Sequence, residues 1–147
     1  MIEWTGDIWK GLARNVDAIC ITTNGVVKAD GRLVMGAGMA KQARDRFPGI
    51  DAVAGKLVQH HGNHVNVMHL ELITSIVAFP TKHNWRDPSP IELVERSAAE
   101  LVGLANTNGW SRVLLTRPGC GRGGLKWNFV KPRLEFYMDN RFIVVDK

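Results

Sequence analysis

Two glycine-rich segments constrain the fold more than anything else in this chain: Met35-Gly36-Ala37-Gly38 and Pro118-Gly119-Cys120-Gly121-Arg122-Gly123-Gly124. Each is expected to lead from a strand into a helix. Glycine lacks a Cβ, so such a loop can turn its backbone N–H groups toward a ligand at close range. The positive end of the following helix dipole then favours an anion there. Two such loops in one small chain point to a clamp on a ligand bearing more than one phosphate. The plain alternative is a pair of strand-end turns that bind nothing.

The segments around the loops supply the elements. Asp17–Thr23 is a short apolar, β-branched run that reads as a buried strand, followed by a polar stretch over 24–32. Ala40, Ala43 and Phe47 share one face of a helix over Met39–Phe47, which Pro48-Gly49 stops. A second helix is expected over Asp51–His60, then strands over Val65–Leu70 and Ile73–Phe79. The spacing predicts a long helix over Ser89–Ala105, with Ser89 as cap, Pro90 in the first turn and Glu92 completing a capping box. Its apolar face is Val94, Ala98, Leu101 and Ala105. Asn108-Gly109 ends it. A strand over Arg112–Thr116, a helix over Trp127–Met138 and a last strand over Phe142–Val145 complete the pass. Strands alternating with helices imply an α/β layer architecture with a mixed or mainly parallel sheet, and ligands in such folds sit beyond the strands' carboxyl ends.

A chain of 147 residues fits one domain with a full core. No apolar run reaches the length of a membrane span, and the start of the chain lacks the basic-then-apolar order of a signal peptide. Cys20 and Cys120 have neither metal-type spacing nor the number for a disulfide framework, so a reducing cytoplasm is the expected location. The net charge of +5 fits nucleic acid, nucleotides or a modified polymer as partner, and equally fits solubility alone. Lys41, Arg44 and Arg46 read as the solvated face of a helix. His60, His61, His64 and His69 cluster in sequence without a carboxylate at ligand spacing, so no metal is expected.

Neither loop is a familiar nucleotide motif. Gly36-Ala37-Gly38 lacks the third glycine of a dinucleotide fingerprint, and no acidic residue follows at the distance that holds a ribose. In the second loop Gly119 and Gly124 have P-loop separation, but Leu125 stands where lysine belongs and Lys126 is not followed by Ser or Thr.

Taken in order, the motifs resemble the macro domain family, whose members bind ADP-ribose or remove it from targets. Gly6-Asp7-Ile8 resembles the family's early G-D-I, which implicates Asp7 on the adenine amino group, with Ile8 beside it. Ile19-Cys20-Ile21-Thr22-Thr23-Asn24 resembles the strand whose final asparagine meets the distal ribose, implicating Asn24. Val34-Met35-Gly36-Ala37-Gly38-Met39-Ala40 looks like the first phosphate loop, and Pro118–Leu125 with Trp127 is similar to the second. The resemblance implies a three-layer α/β/α domain with a central mixed sheet, covering residues 1–147.

Phe79-Pro80-Thr81-Lys82-His83-Asn84-Trp85-Arg86 with Ser89 narrows the likeness to the branch containing DNA ADP-ribosyl glycohydrolase antitoxins. These remove ADP-ribose from thymidine in single-stranded DNA, using that lysine. A related branch cleaves glutamate-linked ADP-ribose with an added aspartate in the second loop, where this chain has Gly123. Two features depart from the pattern. Ile21 replaces an asparagine common in the family. The stretch between Asn24 and Met35 is longer than in the antitoxins, a form similar to bacteriophage macro proteins, some of them labelled ADP-ribose 1″-phosphate phosphatases.

Lys82 and Asn24 are therefore the candidate catalytic residues. A lysine just after the apolar run Ile76–Phe79 is held at a pocket rim. As an ammonium it protonates or stabilises a leaving group; as a free amine it attacks the anomeric carbon and forms a Schiff base. The second role needs a lowered pKa, which partial burial together with His83 and Arg86 facing it would supply; the alternative is a plain surface lysine. Asn24 suits vicinal ribose hydroxyls, or equally a strand-ending turn; Asp7 suits adenine, or equally a cap. Trp85 and Arg86 suit a nucleic-acid base and phosphate, with core packing the alternative for Trp85. Cys120 lacks a neighbouring base and is expected to pack beneath its loop.

The expected function is hydrolysis of the glycosidic link of ADP-ribosylated macromolecules, DNA ahead of protein, by a monomer without cofactor, metal or membrane partner. A non-catalytic ADP-ribose reader, the phosphatase and a nucleic-acid module lacking a nucleotide pocket are the alternatives.

Overall fold

The computed structural model describes residues 1–147. Six strands form one sheet: β1 (Ile2–Thr5), β2 (Ala18–Thr23), β3 (Asn66–Glu71), β4 (Thr74–Pro80), β5 (Val113–Leu115) and β6 (Phe142–Asp146). Their order is β1-β6-β5-β2-β4-β3, and every neighbouring pair is parallel except β3 with β4. The helices are α1 (Gly38–Arg46), α2 (Ile50–His61), α3 (Ile91–Asn108) and α4 (Trp127–Tyr137), with a 3₁₀ turn at Ile8–Gly11.

The layering follows from the two-residue period of the strands. Ile19, Ile21, Ile76, Ala78 and Leu114 point to one side and pack with Ala40, Ala43, Ile50 and Ala54 of α1 and α2. Ala18, Cys20, Val77, Phe79, Val113 and Leu115 point to the other and pack with Val94, Ala98, Leu101, Val130 and Leu134 of α3 and α4. The central strands are apolar on both sides because both are covered. The expected three-layer α/β/α arrangement with a mixed sheet is what the chain adopts. Magnitudes decide what holds it. Exposed pairs such as Lys41–Asp45 at 3.4 Å are worth about 0.2–1 kcal/mol, whereas truncating a buried phenylalanine such as Phe79 costs roughly 3–5 kcal/mol.

Three local expectations need correction. β1 was not anticipated from the sequence, being short and mostly exposed; its pairing with β6 defines it. The Ser89 capping box does not form. The cap of α3 is Pro90, without a side-chain hydrogen bond, and the carbonyl of Pro90 accepts from Leu93 and Val94. Ser89 is instead drawn onto the second glycine loop, its N–H donating to the Gly123 carbonyl at 2.9 Å. The basic face of α1 is not wholly solvated either, since the Arg46 guanidinium lies 4.5 Å from the Trp9 ring centre.

Asp17 joins the starts of β2 and β5. Its Oδ2 accepts from the N–H groups of Ser111 (2.7 Å) and Arg112 (2.9 Å), and from the Ser111 hydroxyl at 3.3 Å. Burial opposes ionisation, but these hydrogen bonds and the Arg112 charge outweigh it and hold the carboxyl below its ordinary value of 3.8. A depressed folded-state value means stability that is present above the unfolded value and lost as pH falls through the folded one. Asp17→Asn is expected to lower the thermal midpoint at pH 7. Its gap to the parent should narrow as pH drops below the ordinary aspartate range, as read by scanning calorimetry across pH.

Candidate functional site

One cleft of about 1060 Å³ opens beyond the carboxyl ends of β2, β4, β5 and β6. Its size suits a large small-molecule ligand, since such pockets run to about 300–1,000 Å³. Both glycine loops line it: Val34 and Gly36–Met39 on one side, Gly119–Gly123 on the other, with Asn24, Lys82 and Trp85 between them. The sequence-derived loops, asparagine and lysine thus converge on one site.

The first loop is held by a hairpin over 26–34. Val27 bridges Leu33, and the Lys28 N–H donates to Arg32 O at 2.7 Å. Asn24 closes this hairpin: its Nδ2 donates to Val34 O and its Oδ1 accepts from Val26 N, both at 2.9 Å. The side chain is buried and retains one donor hydrogen and one lone pair for a ligand. The hairpin sits on α2 at Gly55, where any Cβ would overlap the Gly31 carbonyl. Leu33 N–H donates to the Asp51 carbonyl at 2.9 Å. The longer stretch between Asn24 and Met35 is therefore a fitted brace behind the first loop.

The second loop turns on itself. Leu125 N–H donates to Gly119 O (2.9 Å) and Gly124 N–H to Gly121 O (3.2 Å). A Cβ on Gly123 would overlap both the Gly119 carbonyl oxygen and the buried Ser89 hydroxyl. Glycine is required here by the backbone's own packing, so an aspartate at this position does not fit the loop as it stands. The Ser89 Oγ is buried without a hydrogen-bond partner.

Lys82 follows β4. The β2–β4 ladder pairs Thr23 with Pro80 and continues one step, with Thr81 N–H donating to Thr23 O at 3.0 Å. The Ser97 hydroxyl of α3 donates to Pro80 O at 2.6 Å. The strand end just before the lysine is thus held by the sheet and by α3. The half-buried Lys82 side chain enters the cleft, and Nζ donates to Trp85 O (3.2 Å) and Arg122 O (3.4 Å). Trp85 is 47% exposed at the rim, which rules out core packing, and the Arg86 guanidinium lies 4.9 Å from its ring centre.

Several sequence-derived candidates lie outside the cleft lining. Asp7 caps the 3₁₀ turn through Trp9 N–H at 3.0 Å. Ile8 and Met35 are core residues, and Pro118 is buried under its loop. Gly124 and Arg86 are exposed but do not line the cleft. Cys120 does line it, packed against the α3–α4 core. Burial pushes its thiol up against the opposing Arg117 charge, so it lacks the low value a nucleophile needs. The histidines disperse: His64 meets Glu100 (2.6 Å), His69 meets Glu71 (3.3 Å), and no group of three metal-ligating side chains forms.

Arg117, Lys126 and Asp146 line the cleft without a signal in the sequence, and Thr81 and Trp127, which the motifs include without a role of their own, line it too. Arg117 stacks over Trp127 at 5.1 Å and reaches Asp146 at 3.5 Å. Hydrogen bonds from Lys131 and then from Trp127 hold the Glu3 carboxyl below its ordinary value. This end of the cleft is assembled from four separate segments, which no local motif announces.

No family model matches the sequence. The DNA ADP-ribosyl glycohydrolase of Mycobacterium tuberculosis is 29% identical over 107 residues, which are 69% of this chain and 30% of that protein. The Thermus aquaticus enzyme of the same name is 40% identical over 60 residues, or 41% of this chain and 17% of its own length. The chain therefore spans less than a third of these curated relatives. Among solved structures, the macrodomain of M. tuberculosis DarG superposes with a TM-score of 0.82 at 26% identity, and that of T. aquaticus DarG with 0.77 at 28%. Each match covers 99% of this chain and 97% of the other. Thermosipho africanus DarTG, solved with ADP-ribose, shares the fold at TM-score 0.80 and 20% identity, over 42% of that chain. Fold, loop positions and these likenesses agree: the chain has the macrodomain fold and is similar to the DarG macrodomains along nearly its whole length.

Proposed function

We propose that this protein binds ADP-ribose in the cleft and hydrolyses the glycosidic link joining it to a macromolecule, DNA in preference to protein. The observation that carries this reading is the convergence of Lys82 with both glycine loops, its amine resting on the Arg122 carbonyl of the second loop. Backbone N–H groups of the loops and the N-terminus of α1 receive the diphosphate. Asn24 offers its remaining donor and acceptor to the distal ribose, which places the anomeric carbon toward Lys82. Asp7 and Ile8 lie outside the cleft lining, so a contact between Asp7 and the adenine amino group requires the ligand to reach past Val145–Lys147 to the 3₁₀ turn.

Two routes fit the amine. As an ammonium, Lys82 passes a proton to the departing base while water adds to the anomeric carbon, and free ADP-ribose and the restored base leave. As a free amine, it spends its two N–H bonds on the Trp85 and Arg122 carbonyls and directs its lone pair at the anomeric carbon. The base leaves with the electrons of the broken bond and takes a proton from the new ammonium. The bond from the anomeric carbon to the ring oxygen then opens, the remaining N–H proton passing to that oxygen as the Schiff base forms. Water hydrolyses the Schiff base to release the sugar and the amine. Trp85 with Arg86 offers a stacking face and a cation to the flanking nucleotides. Single-stranded DNA is favoured over a glutamate-linked protein target because the packing at Gly123 leaves no room for an aspartate at that position of the second loop. The basic net charge agrees.

Lys82→Ala is expected to abolish release of ADP-ribose from ADP-ribosylated single-stranded DNA, a loss of at least about 100-fold, while calorimetry still detects ADP-ribose binding. Undiminished release would refute the catalytic role, and binding without any turnover by the parent would leave a reader. Gly123→Asp is expected to weaken ADP-ribose affinity by distorting the second loop and to gain no activity on glutamate-linked ADP-ribose, as followed by calorimetry and a protein de-modification assay.

A further inference from the structure

Asn63 lies in the connector between α2 and β3, far in sequence from both loops and outside every motif. Its Nδ2 donates to the main-chain carbonyl of Lys82 at 3.0 Å. The same amide packs under Gly25, where a Cβ would come within 3.0 Å of it, and Gly25 N–H donates to the next carbonyl, His83 O, at 3.1 Å. Asn63 is itself held from below, because the Arg96 guanidinium of α3 donates to its main-chain carbonyl. Arg96 in turn reaches Glu100 at 3.7 Å, and Glu100 accepts from Val65 N–H at 3.0 Å. One half-buried amide thus ties the exit of β4, the turn after Asn24 and helix α3 into a single unit.

We propose that Asn63 is a positioning residue for Lys82. This rests on the reading of Lys82 as the catalytic group. The lysine follows the last residue that the sheet ladder holds, so the ladder alone leaves the Lys82–His83 peptide free to rotate. The Asn63 amide and the Gly25 N–H take the two successive carbonyls and remove that freedom. The orientation of the Lys82 side chain, and hence the reach of Nζ toward the Arg122 carbonyl, depends on this. Losing a geometry by about 1 Å costs roughly 100-fold in rate, so the amide is expected to matter for turnover more than for affinity. The Oδ1 atom has no partner, so the donor end of the amide carries the effect.

The test compares the parent with Asn63→Ala and Asn63→Asp in the full chain. Asn63→Asp keeps the shape but sets a carboxylate oxygen against the Lys82 carbonyl. Three quantities are measured: kcat on ADP-ribosylated single-stranded DNA, the Kd and stoichiometry for ADP-ribose by calorimetry, and hydrogen exchange across residues 80–85. Both variants are expected to lose roughly 10- to 100-fold in kcat, to retain full binding stoichiometry with Kd changed by less than about threefold, and to exchange faster across 80–85. Unchanged kcat and exchange would overturn the proposal, as would kcat and ADP-ribose affinity falling in parallel. Should the parent itself release no ADP-ribose, the glycohydrolase reading fails. The exchange measurement then decides the tether separately, with parental protection in both variants overturning it.

Discussion

The parallel pairing of β2 with β4 at the centre of the sheet is the constraint on which the rest depends. It sets Thr23 beside Pro80 and carries one hydrogen bond further, from Thr81 to Thr23. Because the two strands run the same way, both end at the same edge of the sheet, with Asn24 and Lys82 delivered side by side. An antiparallel pair would have put them at opposite ends. The two-sided burial of Ile19–Ile21 and Ile76–Phe79 makes this register costly to slip, since a one-residue shift would turn every apolar side chain to the wrong layer. The glycine loops then close the cleft from either side, each braced by its own steric fit: Gly55 against Gly31, and Gly123 against Gly119.

Much of this was legible in the residue pattern, and the reasons are physical. Period-two apolar runs in β2 and β4 and the spacing of Val94, Ala98, Leu101 and Ala105 are read locally, and both survive in the folded chain because they are the core. The glycine loops are legible for two reasons: Gly38 takes a positive φ of 56° in the first, and in the second close packing at Gly119 and Gly123 leaves no room for a side chain. β1 was not, because four mostly exposed residues acquire strand character only through β6. Ser89 misled for a similar reason: its capping signal is local, but the second glycine loop takes its N–H.

The site divides along the same line. Asn24, Lys82 and both loops are announced by neighbours in sequence. Asn63, Arg96, Arg117 and Glu3 act across long sequence separations and carry no signature beyond their ordinary polarity. Asp7 shows the limit of motif reading from the other side, since its side chain is spent on the cap of the 3₁₀ turn and lies apart from the cleft lining. Asn24 has both a structural and a ligand-facing capacity: it clamps the 26–34 hairpin and still has one donor and one lone pair to offer.

What separates a binding cleft from a glycohydrolase, on this account, is where the Lys82 amine stands relative to the distal ribose. A crystal structure of the complex with ADP-ribose measures this directly. The account predicts the diphosphate between the two glycine loops and Lys82 Nζ within roughly 3.5 Å of the anomeric carbon or its leaving oxygen. A complex with the distal ribose turned away from Lys82, or with the nucleotide bound outside the cleft, would contradict it.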